Sequence, residues 1–149
     1  NPPNYLAVDT KTFQPKLEPG DQLAFSLRAN PTVDRLGRRH DVLMDAKNHN
    51  KGASPSDLQQ SMDKAAVNWI TDERRLTQWG VNLESDPSVT GYQQHRLFRK
   101  KAKSAIQFSS VEYQGLLTVV NPKRFIEQLA RGFGRSKAFG CGLMMLRRV

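Results

Sequence analysis

Two stretches of this chain combine residue types that could do chemistry on an anion. The first is His95-Arg96-Leu97-Phe98-Arg99-Lys100-Lys101-Ala102-Lys103, in which five of nine residues are Lys or Arg. Set on a two-stranded ribbon, these residues would present a row of donors narrow enough to enter a nucleic-acid groove or lie along phosphates. The plainer alternative is an edge strand that lysines protect from aggregation, and the arginine at either end of Arg96–Arg99 argues against it. The second stretch is Gly132-Phe133-Gly134-Arg135-Ser136-Lys137-Ala138-Phe139-Gly140-Cys141-Gly142, with four glycines around two cations. It is not a dinucleotide fingerprint, which follows a strand and opens a helix with glycine where Lys137 stands here, and it is not a Walker loop. It can surround phosphate oxygens with backbone N–H groups, Arg135 and Lys137, provided the glycines adopt positive φ. A helix cap plus a bulge would account for Gly132 and Gly142 but not for the interleaved cations.

The charge distribution supports an anionic partner. The 149 residues carry a net charge of +9. Residues 1–86 hold 11 Lys and Arg against 12 Asp and Glu, while residues 87–149 hold 12 against 2. All the excess therefore sits in the second part, whereas a general solubility surplus would be spread out. Nucleic acid is favoured over membrane because no basic helix with a bulky apolar face accompanies the charge. No run of about 18 apolar residues offers a membrane span, and no charged-then-apolar leader is present. The single cysteine, Cys141, permits neither an internal disulfide nor a cysteine zinc cluster and reads as a small core residue. A cytoplasmic location and no cofactor are expected.

The elements that must position these stretches can be read in order. Tyr5 to Val8 reads as a short strand before Lys11 to Lys16. Gln22 to Ala29 alternates, with Leu23, Phe25 and Leu27 on one face, and ends at Asn30-Pro31. Arg38 to Met44 is expected to be extended and to pair back across a turn at residues 34–37. Asn48 to Ser56 reads as loop. Ser54-Pro55-Ser56-Asp57 starts a helix running to about Trp79, with Leu58, Met62, Ala65, Ala66, Trp69, Ile70 and Leu76 along one stripe and Gly80 as the stop. Val81 and Leu83 begin a strand interrupted at Asp86-Pro87-Ser88; Val89 to Lys103 and Ala105 to Val120 then form a hairpin. Asn121-Pro122 starts a short helix carrying Phe125, Ile126 and Leu129 to Gly132, and Leu143 to Val149 is the last strand. This order is that of the α+β, ferredoxin-like βαββαβ unit, with two helices on one face of an antiparallel sheet and a glycine-rich loop near its C-terminus.

At this point a resemblance becomes specific. Ser26-Leu27-Arg28-Ala29-Asn30-Pro31, Arg38-Arg39-His40-Asp41-Val42 and Gly132 to Leu143, in that order and with a matching helix and basic hairpin between them, resemble the CasE family. This is the CRISPR RNA endoribonuclease of the Cascade complex, within the repeat-associated RNA-processing proteins. The resemblance runs from about Leu6 to Val149. It implies two tandem ferredoxin-like domains, with residues 1–18 the remnant of the first, including its last strand, and residues 19–149 the C-terminal RNA-binding domain. It further implies binding of a CRISPR repeat stem-loop and metal-independent cleavage at the base of the stem by a 2′-hydroxyl attacking the neighbouring phosphate. The product stays bound, with other Cascade subunits as partners and no membrane.

The catalytic residue stays unknown on this reading, because the family's histidine is expected upstream of Asn1. His40, His49 and His95 do not align with it, and no spacing here establishes a positioned imidazole. His40 is assigned a structural or RNA-contact role, His49 a solvated loop position, and His95 a groove contact; they share no metal-ligand spacing. The expected RNA contacts are Arg28, Arg38, Arg39 and His40 in the first part. His95, Arg96, Arg99, Lys100, Lys101 and Lys103 contribute from the hairpin. Gly132, Gly134, Arg135, Ser136, Lys137 and Gly140 complete the set from the glycine loop, with Lys137 also a possible catalytic helper. A non-catalytic RNA-binding module and a structural subunit docking on a ribonucleoprotein are the alternatives.

Overall fold

A computed structural model describes residue 7, residues 9–98 and residues 105–149. The strand expected at Tyr5 to Val8 and the cations Arg99, Lys100, Lys101 and Lys103 lie outside them, apart from Ala7, which is in no regular element.

The sheet is built around β1 (Gln22–Ala29), whose alternation buries Leu23, Phe25, Leu27 and Ala29. It pairs antiparallel with β6 (Ile106–Val119) on one side and β7 (Met144–Arg148) on the other. Two short strands lie end to end along the far edge of β6: β4 (Val81–Leu83) from Val81↔Val119, and β5 (Ser88–Leu97) from Ser88↔Gln114 to Leu97↔Ile106. The interruption falls at Glu84 to Pro87, where proline has no N–H to give a ladder. Counting β4 and β5 as one position, the strand order is that of a ferredoxin-like fold, as the element order predicts.

Helices α2 (Pro55–Ile70), α3 (Glu73–Trp79) and α4 (Pro122–Arg131) supply Met62, Ala66, Trp69, Ile70, Trp79 and Phe125 to the core formed with β1 and β6. The Tyr113 hydroxyl on β6 donates to the Ala66 carbonyl at 2.9 Å, fastening α2 to the sheet. Each helix start is chemically marked. Ser54 accepts from the Asp57 N–H ahead of Pro55, and Asn121 accepts from the Arg124 N–H ahead of Pro122.

Three expectations need correction. The single helix to Trp79 is two, because Thr71 closes α2 and the Asp72 carboxylate, accepting from the Arg75 N–H at 2.9 Å, starts α3. Val42 to Met44 is not extended: Asp41 accepts from the N–H groups of Leu43 (2.8 Å) and Met44 (3.1 Å) and initiates α1 (Val42–His49). His49 therefore lies in the last turn of that helix, its Nδ1 2.8 Å from the Asp45 carbonyl, and not in a loop. The hairpin itself forms as expected from β2 (Thr32–Arg35) and β3 (Arg38–Asp41), with both turn residues, Leu36 and Gly37, at positive φ as a tight hairpin turn requires.

Candidate nucleic-acid interface

The glycine-rich segment is shaped first by packing. Its Phe133 is fully buried, edge-on to Trp79 with centroids 4.8 Å apart. The Phe133 N–H donates to the Gly142 carbonyl at 2.8 Å and the Gly142 N–H to the Arg28 carbonyl at 2.7 Å, so the loop is sewn to the end of β1. Gly142 has φ +91°, and a Cβ there would stand 2.6 Å from the Phe133 oxygen; only glycine fits. Gly134 sits at φ +72° with its α-carbon against the Trp69 ring. Packing and backbone conformation thus call for glycine at 132 and 134 whatever their expected role as phosphate cradles. Beyond Gly134 the loop turns outward through Ser136, held at φ +57° with its hydroxyl accepting from the Asn30 amide at 2.6 Å. A 3₁₀ turn, Lys137–Phe139, follows and ends at Gly140.

This turn, the β2–β3 hairpin and the open end of the β5–β6 ribbon enclose a cleft of about 830 Å³, with Arg39, His40, His95, Arg96, Arg135 and Ser136 among its lining residues. A second cleft, of about 710 Å³, opens between the turn and α2–α3 and is lined by Arg39, Arg75, Gly134, Arg135 and Lys137 together with Asp34 and Trp69. Thr32, Arg39, Arg135 and Ser136 border both, so the two clefts share a cationic divide. Arg39, Arg96, Arg135 and Lys137 form no ion pair among the described residues.

The walls are rigidly joined by one carboxylate. Asp41, besides capping α1, accepts through Oδ2 from the Tyr92 hydroxyl at 3.1 Å and from the Ser109 hydroxyl, fixing the β2–β3 hairpin to the ribbon. Burial and the Asp41 charge push the Tyr92 phenol up to about 12, so it serves as a fixed donor and not as a proton relay near neutrality. On the other side of the ribbon His95 stacks on Phe108, which stacks in turn on Phe139, while His95 Nε2 lies 2.8 Å from the Ser110 hydroxyl. In the second cleft the Arg75 guanidinium lies 4.3 Å over the Trp69 ring and donates to the Trp69 carbonyl. Burial lowers its pKa, against the opposing pull of Asp72.

The structure thus gathers Arg39, His40, His95, Arg96, Gly134, Arg135, Ser136 and Lys137 about the two clefts and leaves others out. Arg28 lies on the sheet face away from the helices and gives its Nε to Glu112 at 2.6 Å; it lines neither cleft, so its assignment as an RNA contact is not supported by its position. Arg38 is exposed but also outside them, as are Gly132 and Gly140. Arg75, Asn30, Phe108 and Phe139 were not singled out from the sequence. Arg75 lies in the half of the chain without excess charge, and the two phenylalanines meet only through the strand register. Among the described residues no three His, Cys, Asp or Glu side chains gather as a metal site. Cys141 is buried, which raises its thiol pKa, and no helix among the described residues is long and apolar enough to cross a membrane.

Comparison with known proteins shows the family. Residues 2–148 match the family described as CRISPR associated protein. The chain is 34% identical over 143 residues to the CRISPR-associated endoribonuclease Cse3 of Thermus thermophilus, covering 90% of this chain and 59% of that one. Among solved structures, Cse3 bound to a 19-nucleotide RNA superimposes with a TM-score of 0.63 at 27% identity, over 92% of this chain and 61% of the other. The Thermus thermophilus Cse3 bound to an RNA representing a pre-cleavage complex gives 0.58 at 31%, over 92% and 58%. The chain spans about three fifths of the length of these relatives.

Proposed function

Because this chain belongs to the CRISPR associated protein family, we propose that it is the RNA-holding part of a CRISPR RNA endoribonuclease. On this reading the basic ribbon holds the stem of the repeat stem-loop of precursor CRISPR RNA, and the clefts beside the glycine-rich loop hold the backbone at its scissile end. The carrying observation is the convergence of three separate segments, β3, β5 and the glycine-rich loop, on two adjoining clefts bordered by Arg39 and Arg135. Unpaired cations around a cleft attract phosphates, and guanidinium forks can also reach base edges. The cleavage proposed is attack of a 2′-hydroxyl on the adjacent phosphorus. The 2′-hydroxyl gives its proton to a general base as the 2′-oxygen–phosphorus bond forms; the phosphorus–5′-oxygen bond breaks and the departing 5′-oxygen takes up a proton, leaving a 2′,3′-cyclic phosphate and a 5′-hydroxyl.

Activating the hydroxyl and protonating that oxygen need groups within about 3 Å. His95 is engaged with Ser110 and Phe108, and we assign the catalytic imidazole to the part of the relatives that this chain does not cover. In keeping with that assignment, residues 1–18 belong to the end of a first ferredoxin-like domain and residues 19–149 form the second. Lys137, exposed beside the second cleft, is the helper that would offset charge on the phosphorane. The mature RNA would remain bound, with other Cascade subunits as partners and the cytoplasm as the site of action.

The test is binding and cleavage of a CRISPR repeat stem-loop. Residues 1–149 should bind it and cut it slowly or not at all, and adding the upstream domain should give cleavage that EDTA leaves intact. Absence of stem-loop affinity overturns the RNA-holding assignment. Full-rate cleavage by residues 1–149 alone overturns the placement of the catalyst, and loss of cleavage in EDTA overturns the metal-free mechanism.

A further inference from the structure

The His95, Phe108 and Phe139 rings form a continuous stack whose order follows from the pairs: His95 on Phe108 at 4.5 Å and 18°, Phe108 on Phe139 at 5.0 Å and 22°. Phe108 is the middle ring, and Phe139 ends the stack. These separations are those of favourable offset aromatic contacts. Yet Phe139 is 41% exposed, on a short turn held between two residues in the left-handed region, Ser136 and Gly140. The Asn30 amide donates to the Ser136 hydroxyl, so the turn that carries the ring is fastened to the end of β1.

The cleft that the ring lines also offers cations: Arg39 and Arg135 have no ion-pair partners among the described residues and suit phosphate. At about 830 Å³ the cleft has room for a single nucleotide. An aromatic face at the end of a stack, with cations along the same cleft, is the arrangement with which proteins hold bases of unpaired RNA.

We infer that Phe139 is a stacking platform for an unpaired nucleobase flanking the RNA stem, with Phe108 and His95 stacked behind it. This inference rests on the RNA-holding reading above and adds a binding site for single-stranded RNA to it. The unpaired base continues the stack beyond Phe139, its phosphate faces Arg39 and Arg135, and the stem lies outside the cleft. The ring face accepts any base, so the site tolerates sequence.

The test compares two RNAs on the wild type, Phe139→Leu and Phe139→Trp. One is a repeat stem-loop alone; the other carries short unpaired extensions at both ends with 2-aminopurine placed in them. The readout is the ratio of the two Kd values within each protein, together with 2-aminopurine fluorescence; melting temperature controls for folding. Wild type and Phe139→Trp should bind the extended RNA roughly five- to a hundred-fold more tightly than the bare stem-loop, with quenched fluorescence. Phe139→Leu, still apolar, should lose both the ratio and the quenching. Retention of both by Phe139→Leu overturns the stacking site. Equal weakening of both RNAs by Phe139→Leu also overturns it, because Phe139 would then contact the stem. If the wild type binds neither RNA, the RNA-holding reading itself fails.

Discussion

Arg38 and Arg39 are neighbours in sequence and both exposed, yet only Arg39 borders the clefts, where Arg135 joins it from a loop nearly a hundred residues away. Neutralising Arg39 and Arg135 together therefore isolates the cationic divide. Neither forms an ion pair among the described residues, so Arg39→Gln with Arg135→Gln should alter folding stability by no more than about 0.5 kcal/mol. Each phosphate contact contributes roughly 0.7 to 0.9 to the slope of log affinity against log salt, so losing two should flatten it by about 1.4 to 1.8. The assay is a titration of the repeat stem-loop carrying its unpaired flanks, between low and moderate salt, plotted on logarithmic axes. Arg38→Gln and Arg28→Gln serve as comparisons. Arg38 is outside the clefts and Arg28 is paired with Glu112, so each should leave the slope within about half of one contact's value. A double variant with the wild-type slope, or Arg38→Gln flattening it as much as Arg39→Gln, would refute the reasoning from cleft position.

Asp41→Ala should destabilise the fold by about 2–4 kcal/mol, because it removes the cap of α1 and deprives the buried Ser109 hydroxyl of its acceptor; urea unfolding reads this directly, and a loss below about 0.5 kcal/mol would contradict it. The Tyr92 phenol is raised in the folded state from its usual 10.0 to about 12, so its contribution is fully present below pH 10 and is lost as pH rises through about 12. Wild type should therefore lose stability across that window, and Tyr92→Phe should lose less, as thermal melts at a series of alkaline pH values would show.

Much of the fold was legible because its signals are local. Leu23, Phe25 and Leu27 alternate, Ser54-Pro55 and Asn121-Pro122 announce helix starts, and Leu36-Gly37 lies at the expected turn. Asp41 carries an equally local cap signal, but the extended run before it masked the switch to α1, and Asp72 restarting a helix looked like helix interior. The site was legible as charge and not as geometry. Arg28 belongs to a motif that reads as RNA-binding, yet β1–β6 register sets it against Glu112, 84 residues away. Phe108 and Phe139 are separated by a strand, a helix and a loop, and no periodicity connects them. The four glycines suggested a cradle because their type reveals freedom of φ but not what stands beside the α-carbon. For Gly134 that neighbour is Trp69, and for Gly142 the Phe133 carbonyl.

Because β1 pairs with β6 only from Val111 to Thr118, the first residues of β6 and their β5 partners extend past the sheet as a ribbon of two strands. Such a ribbon is marginal by itself. Two side attachments secure it: Asp41 to Tyr92 and Ser109 on one flank, and the Phe139 ring against Phe108 on the other. Close to its base the register slips between Thr90 and Gln93, which interrupts the ladder there. Asp41, Ser109, Phe108 and Phe139, which brace the ribbon, also line the first cleft, so a substitution that loosens either brace disturbs the arm and the cleft at its root together.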